Sequence, residues 1–243
     1  MIKKEEAISF IWQHILLLFS LFLMTLGVAL CVQSQLGSSV ISSLPYVFES
    51  AGAKGAMPSL TIGQYTYIMN VVFVIFQIAL LRRQFEAVQL FQLLIGFVFG
   101  SLIDLNMLLT STIATDWLPG KIILQIAGCT VMGFGIALEV RCGSVTMPGE
   151  GLPVAISRVT SIDFSTVKIG FDIFIVVCAV VACYVFFGQW LWNIVGIGTL
   201  FAMVYVGVCV RFFGKHIGWF ERMLNYRPGF RRYIYGLARY LFK

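Results

Sequence analysis

Residues 142–156 read CGSVTMPGEGLPVAI and lie between two long apolar runs. Two glycines flank Glu150, and Pro148 and Pro153 enclose the group. An ordinary connecting loop needs no second apolar stretch such as Leu152–Ile156, and a spanning helix does not normally open on Pro-Gly-Glu-Gly. Residues 148–160 are also too short to cross a bilayer, because a helix rises only about 1.5 Å per residue. Pro148 suits a first helical turn, where its missing N–H costs nothing. Gly149 and Gly151 admit close approach of another backbone or a ligand. The stretch therefore predicts a short helix, either re-entrant or lying on the membrane surface.

The rest of the chain supports a membrane setting. Of 243 residues, 59% are hydrophobic and 12% charged, against about 25% charged in a soluble domain. Mean hydropathy is +0.92. Six runs are long enough for a bilayer core: Phe10–Gln33, Ile62–Leu81, Val88–Leu109, Ile122–Val140, Val167–Phe187 and Leu191–Phe212. The first is too long for a cleavable signal and lacks a small-residue cleavage site. Alternating ten-residue strands of a barrel are absent, so the expected fold is all-α and polytopic. Six cysteines, mostly within the runs, show no metal or redox spacing and read as small packing residues.

Lys and Arg mark alternate connectors. Lys3, Lys4, Arg82, Arg83, Arg141, Arg158, Lys168 and the basic residues from Arg211 onward fall on one side, and only Lys54 and Lys121 on the other. By the positive-inside rule both termini and the Pro-Gly-Glu-Gly segment are cytoplasmic. The basic residues sit beside spans, which argues against a nucleic-acid surface.

The chain also repeats. At an offset of 108 residues, Gly27-Val28-Ala29-Leu30 matches Gly135-Ile136-Ala137-Leu138, and Leu44-Pro45 matches Leu152-Pro153. After a connector six residues shorter the offset becomes 102, pairing Asn70 with Asp172 and Gly96 with Gly198. Each copy holds three spans and one short segment, Ser38–Phe48 in the first and Pro148–Ile156 in the second. Three spans invert the second copy, which predicts an inverted 3+3 repeat of the kind secondary transporters use. The expected divisions are 1–110, 111–213 and a basic amphipathic tail, 214–243, lying on the inner leaflet.

Polar residues inside apolar runs are the candidate site. Asn70 and Asp172 occupy equivalent positions, with Thr61 and Ser165/Thr166 as N-caps of their helices. Glu150, with Gly149 and Gly151, stands at a helix start, where it can cap or line a cavity. Ser38, Ser39 and Ser42 on the opposite short segment, with Gln64, complete the expected substrate contacts. Asp104 reads as interfacial. Glu139 and Arg141 read equally as a local ion pair, as snorkelling side chains or as substrate contacts.

GVAL and the later LG of the first run, TIG before the Asn70 run, MPGEGLPVAIS, DFSTVKIGFDI and VGIGTLFAMVYVG together resemble the bacterial YczE/YitT-type membrane proteins over most of residues 10–213. The resemblance implies a small polytopic inner-membrane protein and no particular substrate.

No hydrolase, zincin, Walker or dinucleotide motif occurs, so the expectation is a non-enzyme without cofactor or metal. It is a multi-pass protein of a bacterial cytoplasmic membrane whose partners are the lipid bilayer and a small-molecule substrate, with homo-oligomerisation left open. Transport of a small polar or anionic metabolite is the leading reading. The alternatives are a substrate-binding membrane subunit of a multi-component importer, and a non-transporting scaffold for a biosynthetic enzyme.

Overall fold

The computed structural model describes residues 4–113, 115–142, 147–218 and 220. They form eight α-helices: α1 (Lys4–Ser34), α2 (Val40–Ala53), α3 (Ile62–Leu81), α4 (Phe91–Thr110), α5 (Leu118–Cys142), α6 (Pro148–Thr160), α7 (Phe164–Phe187) and α8 (Ile197–His216). Six of these, all but α2 and α6, are long and apolar enough to cross a membrane. The described residues are all-helical apart from turns and loops. Most of the expected basic tail lies outside the described residues; of it, α8 absorbs residues 214–216.

Several helix boundaries differ by a few residues from the apolar runs, and two of them have a local cause. The last span starts at Ile197 rather than Leu191, because Gly188 turns the chain at φ +67° and residues 189–196 run as a packed loop. Ile194 and Val195 in that loop are buried, and Trp190 stacks on Trp192. Helix α7 begins at Phe164, with the Val167 amide bonded to the Asp163 carbonyl. Ser165 and Thr166 are thus inside the helix, beyond the cap position. Thr61 does cap α3: its hydroxyl accepts from the Gln64 amide while the Gln64 side chain accepts from Thr61 N.

Helices α1 and α5 form the central pair. Gly27 lets α1 sit directly against Gly128 and Met132, and Gly135 lets α5 sit against Ser20 and Met24. These two contacts exchange under the 108-residue offset. Other pairings come in the same matched form: α1 with α4 and α5 with α8, α3 with α6 and α7 with α2, α2 with α3 and α6 with α7. The close packing of α3 on α4 has no such counterpart, since α7 and α8 scarcely touch.

The distribution of side chains is that of a protein solvated by hydrocarbon. Ile75, Phe76, Val185, Ile197 and Val204 are exposed, while Ser20, Thr25, Ser34, Gln77, Gln92, Asn106 and Gln125 are buried. In lipid, helices gain nothing by burying leucine against leucine, so small residues and interhelical hydrogen bonds hold the interfaces. Gln125 of α5 illustrates this: it accepts from Ser34 Oγ of α1 at 2.6 Å and donates to Gly198 O of α8 at 2.9 Å. Asn106 of α4 donates to Thr25 Oγ1 of α1 at 2.8 Å.

Candidate functional site where the two short helices meet

Each short helix packs on a span of the other half, and the Ile41 side chain in the first turn of α2 reaches Gly149 in the first turn of α6. A Cβ added to Gly149, the second residue of α6, would lie 2.5 Å from Cδ1 of Ile41, the second residue of α2. A side chain here would have to displace the end of the Ile41 side chain. The next glycine is constrained by amides, since a Cβ at Gly151 would fall 2.7 Å from Gln92 Oε1 and 2.9 Å from Gln77 Oε1. Gln77 of α3 donates to Gln92 of α4 at 3.2 Å and reaches the Pro148 carbonyl at 3.5 Å. The start of α6 is therefore held in a polar seat made by α3 and α4.

The start of α2 is held by the loop before α8. Ser38 N and Ser38 Oγ both donate to Ile194 O, at 2.9 and 3.0 Å. Ser39 and Ser42 share a hydroxyl–hydroxyl bond of 2.6 Å. All three serines are buried. Beside the junction, Phe73 of α3 meets Phe171 of α7 edge-on, ring centres 5.3 Å apart, with Leu152 and Ile175 completing an apolar cluster. Polar helix starts thus lie next to an apolar septum between α3 and α7.

Glu150 lies in the first turn of α6, half-buried. Burial pushes its carboxyl above the usual range, with Lys168 opposing the shift and Asp172 adding to it. Asp172 itself is bound by Lys168 one turn earlier, at 2.7 Å. Asn70 is 2% exposed, and its Nδ2 has no hydrogen-bond partner among the described residues. It lies against α4, where a Cβ at Gly96 would sit 3.1 Å from that nitrogen. Gln64 is exposed at the cap of α3, apart from the junction.

Three polar groups gain meaning only from the fold. Asp104, read as interfacial, accepts from Thr61 Oγ1 at 2.6 Å and Gly63 N at 2.8 Å, so it secures the start of α3. Gln125, a lone amide in an apolar run, is the tie between α1, α5 and α8 described above. Glu139 is 5% exposed and makes no ion pair with Arg141, whose guanidinium donates to Gly214 O.

Against known proteins, residues 11–215 match the model of a family described as "Family of unknown function (DUF6198)". The chain belongs to the DUF6198 family. No curated protein and no solved structure matches it. The family region covers five of the candidate spans and all but the last residue of the sixth, and α2 and α6 lie wholly within it.

Proposed function

We propose that this DUF6198 protein is a secondary transporter that moves a small polar or anionic metabolite across the cytoplasmic membrane of a bacterium. The observation that carries the reading is the meeting of the first turns of α2 and α6 inside a bundle of six candidate spans. A helix start presents free amides and the positive end of its dipole, which suits a carboxylate or phosphate group. Short helices at membrane depth survive only where protein or a watery cavity covers them. The two-fold exchange of contacts between the halves supports an inverted repeat, the frame within which a central site can be exposed to either side in turn. The distribution of Lys and Arg supports cytoplasmic termini, and kinship with the YczE/YitT-type proteins belongs to the same reading.

The substrate contacts in this reading are Gly149, Glu150 and Gly151 from α6, Ser39 and Ser42 from α2, and Asn70 and Asp172 from the flanking spans. Ser38 positions the start of α2 through Ile194, and Gln64 holds the start of α3. The test is a thermal-shift screen of the purified protein against small carboxylates, phosphates and polar neutral metabolites, followed by uptake of any stabilising compound into liposomes. Uptake by the protein alone, reduced in Gly149→Leu, is the expected result. A compound that binds but enters only with an added ATPase would replace this reading with that of an importer subunit. A well-folded protein that neither binds nor moves any of them would refute it.

A further inference from the structure

The fold brings two cysteines of different helices into contact. Cys31 of α1 and Cys129 of α5 are 98 residues apart, a spacing that marks no pair, yet their sulfurs lie 3.8 Å from one another. Both are fully buried, in a small cluster with Ala202 of α8. Glycine builds the approach: a Cβ at Gly128 would fall 2.9 Å from Cys31 Sγ and 3.0 Å from Cys31 N. Gln125 fixes the register of the helices at this level. Its Oε1 accepts from Ser34 Oγ of α1 at 2.6 Å, and its Nε2 donates to Gly198 O at 2.9 Å and to Cys129 Sγ at 3.7 Å. The pair is also near an end of the bundle. Gln35, just past the end of α1, is exposed and accepts from Lys121 Nζ at 3.1 Å. Cys31 stands four residues before it, about 6 Å deeper. In the orientation proposed above this end is the outer one, the side on which thiols meet oxidants.

We propose that Cys31 and Cys129 form a dithiol site that hydrogen peroxide closes to a disulfide, fastening α1 to α5. One thiol attacks a peroxide oxygen and the O–O bond breaks; that sulfur becomes a sulfenic acid and one water leaves. The second thiol then attacks the oxidised sulfur, the S–S bond forms, and the hydroxyl departs with the remaining thiol proton as a second water. Two thiols and one peroxide thus give one disulfide and two waters; the sulfurs are oxidised and the peroxide oxygens reduced. An S–S bond is about 2.05 Å long, so each sulfur has to swing inward by about 0.9 Å. An oxidant of two oxygen atoms suits so enclosed a site, whereas a bulky disulfide or an oxidising enzyme does not. Helices α1 and α5 are the first spans of the two matched halves, and their seam is the central contact of the bundle. A covalent tie there holds the halves against one another, so oxidation arrests transport. That consequence rests on the transport reading above; the thiol site itself does not.

The experiment treats the purified full chain in detergent with hydrogen peroxide or with dithiothreitol, blocks the remaining thiols with N-ethylmaleimide in denaturant, and digests with trypsin. Cleavage after Lys4, Lys54, Lys121 and Arg141 puts the two cysteines on separate peptides, 5–54 and 122–141. The expected result is a joined pair, two hydrogens lighter than the sum of its parts, formed by peroxide and split by dithiothreitol. Cys31→Ser and Cys129→Ser each remove it, Cys178→Ser leaves it, and the oxidised native chain melts at a higher temperature than the reduced one. Both peptides carrying maleimide, in a folded native chain given peroxide that fully oxidises glutathione, would overturn the proposal. So would Cys31 or Cys129 joined equally to the other cysteines. The native chain alone supplies that comparison, so it stands even where a serine variant fails to fold. In liposomes, uptake should stop with peroxide, return with dithiothreitol, and ignore peroxide in Cys31→Ala. A joined pair with no metabolite uptake in either state would sink the transport reading alone; uptake without the joined pair would sink the thiol site alone. Undiminished uptake by the fully joined protein would overturn the arrest.

Discussion

Gly27→Ala tests the seam on which the whole bundle rests. A Cβ at this position would lie 2.5 Å from Gly128 O, 2.5 Å from Met132 Cβ and 2.6 Å from Met132 N. Carbon contacts settle near about 3.5–4.0 Å, and these obstacles include backbone atoms, which cannot swing aside. Helices α1 and α5 must therefore separate by about 1 Å. A gap of that size forfeits roughly a quarter to a half of each contact, itself worth about 0.1–0.2 kcal/mol. Over an interface of on the order of fifty atom pairs, the loss is roughly 1–5 kcal/mol, or a melting shift of roughly 2–20 °C. The natural assay is thermal unfolding in mild detergent with a thiol-reactive dye, since Cys31 and Cys129 are buried on this seam, their sulfurs 3.8 Å apart. Gly170→Ala, where a Cβ meets nothing within 4 Å, is the control and should melt at or slightly above the native protein. Gly135→Ala, pressed against Met24 N at 2.7 Å and Ser20 O at 2.9 Å, should behave like Gly27→Ala. If Gly27→Ala melts with Gly170→Ala, the central pairing of α1 and α5 is wrong.

Asp104→Ala removes both acceptor bonds at the start of α3; a loss of about 1–2 kcal/mol is expected, with faster hydrogen exchange at the Ile62–Gln64 amides. Burial holds the Glu49 carboxyl above its usual range, with the Ser50 hydroxyl opposing. The folded state therefore binds the proton more tightly, and stability should fall as pH rises from the unfolded value through the folded one. Glu49→Gln should flatten that part of the melting-temperature profile; an unchanged slope would mean Glu49 is solvated. In a cysteine-free background, a single cysteine at Thr112 should label from outside intact cells, and one at Arg83 or Arg158 only after permeabilisation. Labelling of the Thr112 and Arg83 positions from the same side would remove the case for inversion.

The features legible in the sequence are those whose cause is local. Helix α3 runs over Ile62–Leu81 as its apolar run predicts, because Thr61 and Gln64 cap it from within four residues and Arg82 closes it with a positive φ. Pro148 marks the first turn of α6 for the same kind of reason. The start of α8 departs from its apolar run because hydropathy measures only burial. Leu191, Ile194 and Val195 are apolar and packed against α7, yet the Ile194 carbonyl serves Ser38, more than 150 residues away. Polar residues divide along the same line. Asn70 and Asp172 are equivalent in sequence, but Lys168 sits one turn before Asp172, whereas Asn70 is pressed against Gly96 of the neighbouring helix. A matching place in the sequence therefore says where a polar group stands in its helix but not what it meets. Glu139 carries this furthest. Its sequence neighbour Arg141 is the obvious ion-pair partner, and only the path of α8 shows that Arg141 is drawn to Gly214. A carboxyl that loses its nearby cation to a distant carbonyl is left in the interior of the bundle. That burial sets Glu139 apart from Asp104, Asn106 and Gln125, whose capping and interhelical hydrogen bonds hold the bundle.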